Sequence, residues 1–206
     1  MVAAVRIWQD RISGHEYAIG VDPALGYADS DDSVIEVGNC NTGEQVAEVQ
    51  GKLDGNDLAE ECDLLGNYYN EALIGVEINK DLTCVNRLWT GGYPNLYFRA
   101  EETGRPFRKQ TDKLGWDTNI RTRPMLVTQG RNMLTDGSVV MKSQELINQW
   151  KIFVLEMGKF QALAGGHDDL VMGFLIMCEM MMIQLNSAEA RTKTFTPMVN
   201  GVMIEK

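Results

Sequence analysis

The four cysteines of this 206-residue chain, Cys40, Cys62, Cys84 and Cys178, form no C-x-x-C pair and no zinc-ligand spacing. Neither a disulfide scaffold nor a structural zinc site is expected, and the thiols read as reduced cysteines of an intracellular protein. The first six residues, Met1 to Arg6, lack the apolar core of a secretory leader. No uncharged apolar run approaches the roughly 18 residues needed to cross a bilayer. The longest candidate, Leu170 to Ile183, is interrupted by Glu179 and reads as a buried helix. The pattern G-x-x-x-x-G-K-[ST] is also missing, since Lys142-Ser143 and Lys193-Thr194 are not preceded by glycine. This chain therefore carries no P-loop for ATP hydrolysis.

What is present is globular: 44% hydrophobic and 23% charged residues, in a length sufficient for one domain with a real core. The net charge of −10 taken alone argues against nucleic acid as a partner. The charge is unevenly spread, however. Residues 1–81 hold 17 acids and 4 bases, whereas residues 82–206 hold 12 acids and 15 bases. Arg99, Arg105, Arg108, Lys109, Lys113, Arg121, Arg123 and Arg131 crowd into one stretch that can form an electropositive surface.

Periodicity and punctuation predict strands at Tyr17–Asp22, Ser33–Gly38 and Gln45–Gln50, the last two joined by the turn sequence Asn39-Cys-Asn-Thr-Gly43. A helix capped by Asn56 follows through Tyr69, then a strand over Ala72–Glu77. Asp81–Trp89 reads as a helix closed by Gly91-Gly92, and Asn95–Arg99 as a strand. Thr122–Leu134 is a helix, Ser138–Met141 a short strand, and Ser143 caps a helix running through Val154. The last long helix spans about Asp168 to Gln184, and Thr192–Lys206 is a polar tail. The order predicts an α/β fold: an antiparallel three-strand meander continuing into parallel strands, one mixed sheet flanked by helices. Residues 1–14 read as an N-terminal extension, 15–186 as the domain and 187–206 as a C-terminal tail.

Ligands of open α/β sheets sit beyond the carboxyl ends of strands. Asp22 and Glu77 both lie at such ends, and Asp168-Asp169 opens the last helix after Gly165-Gly166-His167. Either aspartate could be a simple cap. As an ordered trio on three elements, the acids instead suggest a site for hard divalent cations of the kind that serve phosphodiester hydrolysis. Asp29-Ser-Asp-Asp-Ser33 begins like a calcium loop, but Val34 and Cys40 stand where glycine and glutamate are required, so it reads as an acidic turn. The methionines of the last helix read as core filling.

The blocks Gly20-Val-Asp-Pro-Ala24, Gly75-Val-Glu-Ile-Asn79, Gly92-Tyr-Pro-Asn-Leu-Tyr97, Gly115-Trp-Asp-Thr118 with Arg123-Pro124, and Gly166-His-Asp-Asp-Leu-Val-Met172 resemble the nuclease domain of tailed-phage large terminase subunits, in order and spacing across residues 15–185. The resemblance implies a ribonuclease H-like fold and an endonuclease that cuts concatemeric viral DNA at initiation and termination of packaging. It implies two Mg²⁺ or Mn²⁺ ions held by Asp22, Glu77, Asp169 and Asp168, without deciding which aspartate of the pair binds directly. It also implies duplex viral DNA as substrate, with an N-terminal packaging ATPase, the portal and the small terminase subunit as partners, in the cytoplasm of the infected host and without a membrane. Arg99, Arg105, Arg108, Lys109, Lys113, Arg121 and Arg123 would hold the phosphate backbone, with Trp116 either near the DNA or simply core, and His167 either orienting a phosphate or water or making a structural hydrogen bond. The turn after Glu77, Ile78-Asn-Lys-Asp81, departs from the glycine-bearing turn common in that family. Two other readings fit parts of the pattern: an actin-like or sugar-kinase domain, which requires glycine-rich phosphate turns not found after Asp22 or Glu77, and a non-catalytic packaging module of the same fold.

Overall fold

A computed structural model describes residues 3–101, 109–156, 158–194, 198–199 and 202–203. In chain order the elements are β1 (Ala4–Ile7), β2 (Tyr17–Asp22), β3 (Ser33–Asn39), β4 (Gln45–Gly51), α1 (Gly55–Tyr68), β5 (Leu73–Val76), α2 (Thr83–Gly91), β6 (Phe98–Glu101) and β7 (Lys109–Leu114). They continue with α3 (Thr122–Asp136), α4 (Gln144–Ile152), β8 (Phe153–Glu156), β9 (Lys159–Ala162), α5 (Asp169–Thr194), β10 (Met198–Val199) and β11 (Val202–Met203).

The principal sheet has the order β1-β4-β3-β2-β5. Strands β2, β3 and β4 form the expected antiparallel meander, and β5 runs parallel to β2. β2 is buried along its whole length because both of its faces are covered, which is why its sequence is a continuous run rather than an alternation. Tyr17, Ile19 and Val21 pack toward the cluster that includes Leu58, Cys62 and Val85 of α1 and α2, whereas Ala18 joins the cluster built on α5.

Helix α5 is the hub of the second layer. Its stretch from Asp169 to Ser187 has the length and hydropathy of a membrane span, yet it is the core helix of the fold, and Leu170 to Met181 are all buried. It lies so close to β2 that a Cβ on Gly20 would overlap the backbone of Gly173 and Met177. That approach fixes the start of α5 against the end of β2.

Several boundaries differ from expectation for local reasons. Asp54, not Asn56, caps α1, its Oδ1 accepting from the backbone N–H of Asn56 at 2.8 Å and of Asp57 at 3.0 Å. Ser143 does cap α4, but the helix stops at Ile152 and Val154 lies in β8, which pairs with β9. Ser138–Met141 contributes only an isolated bridge, Glu44 with Val140. Around Asn95–Arg99, Leu96 bridges Ile74 while the strand proper starts at Phe98 and pairs with β7. Helix α5 continues past Gln184 to Thr194.

The segment before residue 15 supplies β1, which pairs antiparallel with β4 and places Arg6 opposite Glu48. Glu48 and its cross-strand partner Glu36 are fully buried, and Arg6 forms an ion pair with Glu48. Gln45 completes this polar core: its amide donates to Glu36 at 2.6 Å, and its Oε1 accepts from the backbone N–H groups of Lys142 and Ser143 at 2.7 and 2.9 Å. Burial and the charge of Glu48 push the Glu36 carboxyl well above its ordinary range. The four cysteines are buried thiols.

Candidate metal centre

The register of the parallel pair determines where the first two acids lie. Val21 is opposite Val76, and the Glu77 N–H donates to the Val21 carbonyl at 2.9 Å, so Asp22 and Glu77 emerge side by side at the carboxyl end of the sheet. The segment at Trp116 extends the sheet past β5: its N–H donates to Val76 O at 2.7 Å, and Ile78 N–H donates to Trp116 O at 2.9 Å. Trp116 itself is buried, its ring beside Tyr97 in the cluster that includes Leu126, which is the core reading of that residue.

The third acid comes from α5. Asp169 is 4% exposed, and its Oδ2 accepts from the backbone N–H of Asp32 at 3.3 Å. The next residue anchors the helix start, Leu170 N–H donating to Gln149 Oε1 of α4 at 3.0 Å. Asp168 lines the cavity beside Asp22 and Glu77 and forms an ion pair with Arg123. The two adjacent aspartates therefore occupy different environments, Asp169 in the buried acidic group and Asp168 at a guanidinium.

The electrostatics of this group are unfavourable in the absence of a cation. Burial first, and then the charge of Glu77, push the Asp22 carboxyl well above the usual carboxylate range. Asp169 is pushed up to about 6, mainly by burial, with Asp31 adding to the shift. Lys80 opposes both shifts, and its Nζ lies 3.1 Å from Asp31. Asp22 Oδ1 is buried and has no hydrogen-bond partner. A buried carboxylate oxygen without a donor, among other acids, is the environment a hard cation satisfies.

A second donor group adjoins the first. Oxygen or nitrogen atoms of Asp31, His167 and Asp169 lie within 4.8 Å of one another, and His167 Nδ1 is 3.9 Å from Asp169 Oδ2. Asp31 belongs to the stretch that reads in sequence as an acidic turn. The β2–β3 connection carries it to the start of α5, a proximity with no local sequence signal.

A cavity of about 530 Å³ opens over Asp22, Glu77 and Asp168. Its cationic lining is Lys80, Arg123 and Lys159, of which only Arg123 is among the residues singled out from sequence. Arg99 lies 3.7 Å from Asp117, and Lys113 and Arg121 are exposed. Arg105 and Arg108 lie outside the described residues, as does the side chain of Lys109.

No family model matches the chain, and no curated protein matches it in sequence. Solved structures do. The large terminase nuclease from thermophilic phage G20c superposes with a TM-score of 0.66 at 16% identity, covering 85% of this chain and 87% of that one. The fold is that of a large terminase nuclease. The same G20c nuclease with bound magnesium gives 0.65 at 16% identity over 85% and 86%, and the Thermus phage P74-26 large terminase nuclease domain gives 0.63 at 18% identity over 84% and 83%. Further G20c structures hold cobalt and zinc. At these identities the likeness is one of fold, and the mixed sheet flanked by helices is the ribonuclease H-like arrangement expected from the sequence.

Proposed function

We propose that this chain is a divalent-metal-dependent endodeoxyribonuclease, the nuclease domain of a phage DNA-packaging terminase, which cuts concatemeric viral DNA when packaging starts and ends. The observation that carries the reading is the buried trio Asp22, Glu77 and Asp169, with one Asp22 oxygen lacking any partner. The terminase fold and the metals bound by the G20c nuclease agree with it.

Asp22, Glu77 and Asp169 would hold the metal, and Mg²⁺ or Mn²⁺ suits their all-oxygen donor set. Two ions are the reading we favour, because Asp169 belongs both with Asp22 and with the pair Asp31 and His167. Bound divalent cations supply the positive charge that activates water and stabilises the leaving oxygen in phosphodiester hydrolysis. The chain's own groups do the rest. Arg123, held by Asp168, presents a guanidinium to the cavity where a phosphate would sit. Lys80 offsets part of the acid charge, and Lys159 adds a second cation at the cavity wall. Arg99, Lys109, Lys113 and Arg121, with Arg105 and Arg108, would contact the DNA backbone without reading bases. The domain would take in β1 as well as residues 15–186, because β1 completes the sheet. In the full-length protein its partners would be a packaging ATPase domain, the portal and the small terminase subunit, in the host cytoplasm.

Supercoiled plasmid incubated with the protein and Mn²⁺ tests this reading. Wild type is expected to nick and linearise the plasmid, while Asp22→Ala and Asp169→Ala lose about a hundred- to a thousandfold in rate, as expected when a group that stabilises developing charge is removed. Equal cutting by the alanine variants would refute the site, and no cutting by wild type with any divalent metal would refute the activity.

A further inference from the structure

The cavity over the acids is larger and less polar than a phosphate requires. A phosphodiester group is polar on every side, yet Ile120, Pro124, Phe160 and Met172 line the same space as Asp22 and Glu77. A volume of about 530 Å³ falls in the range of sites that enclose a whole small molecule. The components of a DNA strand that gain from such walls are the base and the sugar.

Two of the apolar groups bear most on what the cavity holds. Phe160 ends a series of stacked rings, 6.2 Å and 18° from Phe153, which is itself 6.2 Å and 26° from Trp150. Ile120 is 91% exposed, on a loop shaped by hydrogen bonds among its neighbours. Asn119 Oδ1 accepts from the backbone N–H groups of Arg121 and Thr122 at 2.9 and 3.1 Å. Thr122 Oγ1 donates to Asp117 O at 2.7 Å, and Asn79 Oδ1 accepts from Thr118 N–H at 3.2 Å.

We infer that the cavity seats one unstacked nucleobase of the strand being cut, against Phe160 and beneath Ile120, and that the preferred substrate is therefore DNA with an unpaired nucleotide beside the scissile phosphate. This rests on the nuclease reading above and specifies its substrate. A base inside an intact duplex cannot reach these side chains. It must be extruded first, at a cost that is smallest where the base is already unpaired. Stacking on an aromatic ring then repays the cost and is tolerant of sequence.

The test compares three labelled duplexes that differ at one position: fully paired, carrying one extra unpaired thymidine, and carrying an abasic residue in place of that thymidine. Binding is read by fluorescence anisotropy in Ca²⁺ and cleavage by initial rates in Mn²⁺. The thymidine duplex is expected to bind at least about tenfold more tightly than the other two, and to be cut correspondingly faster. Ile120→Ser, at a site too exposed to affect folding, and Phe160→Ala are expected to erase that preference, and Phe160→Tyr to keep it. Equal binding of the abasic and thymidine duplexes would show that flexibility alone is recognised and would overturn the inference, as would a preference that survives both Ile120→Ser and Phe160→Ala. A thymidine preference in binding without any cleavage would support the base site while counting against the nuclease reading, so the two fail separately.

Discussion

Asp22→Asn is expected to abolish DNA cleavage and, in the same protein, to raise the thermal stability of the metal-free form. The two effects have one cause. Asp22 is buried beside Glu77 and within the field of Asp169, and its Oδ1 has no donor. Its carboxyl is raised well above 3.8, and that of Asp169 is raised from 3.8 to about 6. A carboxyl raised in the folded state binds its proton more tightly there than in the unfolded chain, so its stabilising contribution is complete below the unfolded value and is lost as pH rises through the folded one. Metal-free wild type should therefore lose stability from about pH 4 through pH 6, with the Asp22 contribution continuing upward. Asparagine keeps the shape, adds a donor for Glu77 and cannot ionise, so the variant should gain on wild type by about 1 kcal/mol or more at pH 8 and by little at pH 4. Added Mn²⁺ should raise the melting temperature of wild type at pH 8 but hardly that of the variant. Thermal denaturation in EDTA and in Mn²⁺ at pH 4 and pH 8 checks all three expectations. A purely structural Asp22 would give the opposite result, a variant less stable at both pH values.

Gly20→Ala should be among the most damaging single-methyl additions in the chain. A Cβ there meets the Gly173 carbonyl oxygen and the Met177 amide nitrogen, both of them backbone, and neither can move without shifting α5. The cost is expected to be about 3 kcal/mol or more, which for a domain of this size is a fall of roughly 6–12 °C in melting temperature. Because α5 carries Asp169, separation of the helix from β2 should also weaken metal binding in whatever fraction stays folded. Two other glycines serve as controls. At Gly75 the three nearest atoms to the added carbon all belong to the flexible Met180 side chain, so a smaller loss is expected. At Gly91, within α2, nothing lies within 4 Å, and alanine should be neutral or slightly stabilising. Melting curves of the three variants should rank in that order, and equal effects would show that close packing of α5 on β2 is not what the position requires.

Much of this arrangement is legible in the sequence where local pattern and burial agree. β2 reads correctly from Tyr17 to Asp22 because a continuous apolar run ended by Asp-Pro has few other interpretations, and the turn at Asn39–Gly43 sets the β3–β4 pairing. Asp22 and Glu77 could be placed at strand ends for the same reason. The features that pattern misses depend on distant partners. β1 is four residues long and largely exposed, and only pairing with β4 and the Arg6–Glu48 contact makes it a strand. β7, Lys-Gln-Thr-Asp-Lys-Leu, has no apolar alternation, and the hydrophobic spacing of α4 runs on into Val154 although the chain turns into β8 at Phe153. Asp168 and Asp169 are the same residue type in adjacent positions, so only the rotation of α5 distinguishes the buried acid from the one at Arg123. Charge counting had a similar limit. It located a basic stretch, but Arg99 lies near Asp117 and Arg123 is bound to Asp168, while Lys80 and Lys159, which line the cavity, come from outside that stretch.

The net charge of −10 has a specific meaning in this setting. Part of the acidic excess of the N-terminal third is the proposed site itself, Asp22, Asp31 and Glu77, and divalent cations would neutralise it where DNA approaches. Whether these buried acids form a divalent-metal site is decided by anomalous diffraction from a crystal soaked in Mn²⁺. A peak coordinated by both Asp22 and Asp169 is expected. The absence of a peak there, or a single ion held by Asp31 and His167 with no ligand from Asp22, would contradict it.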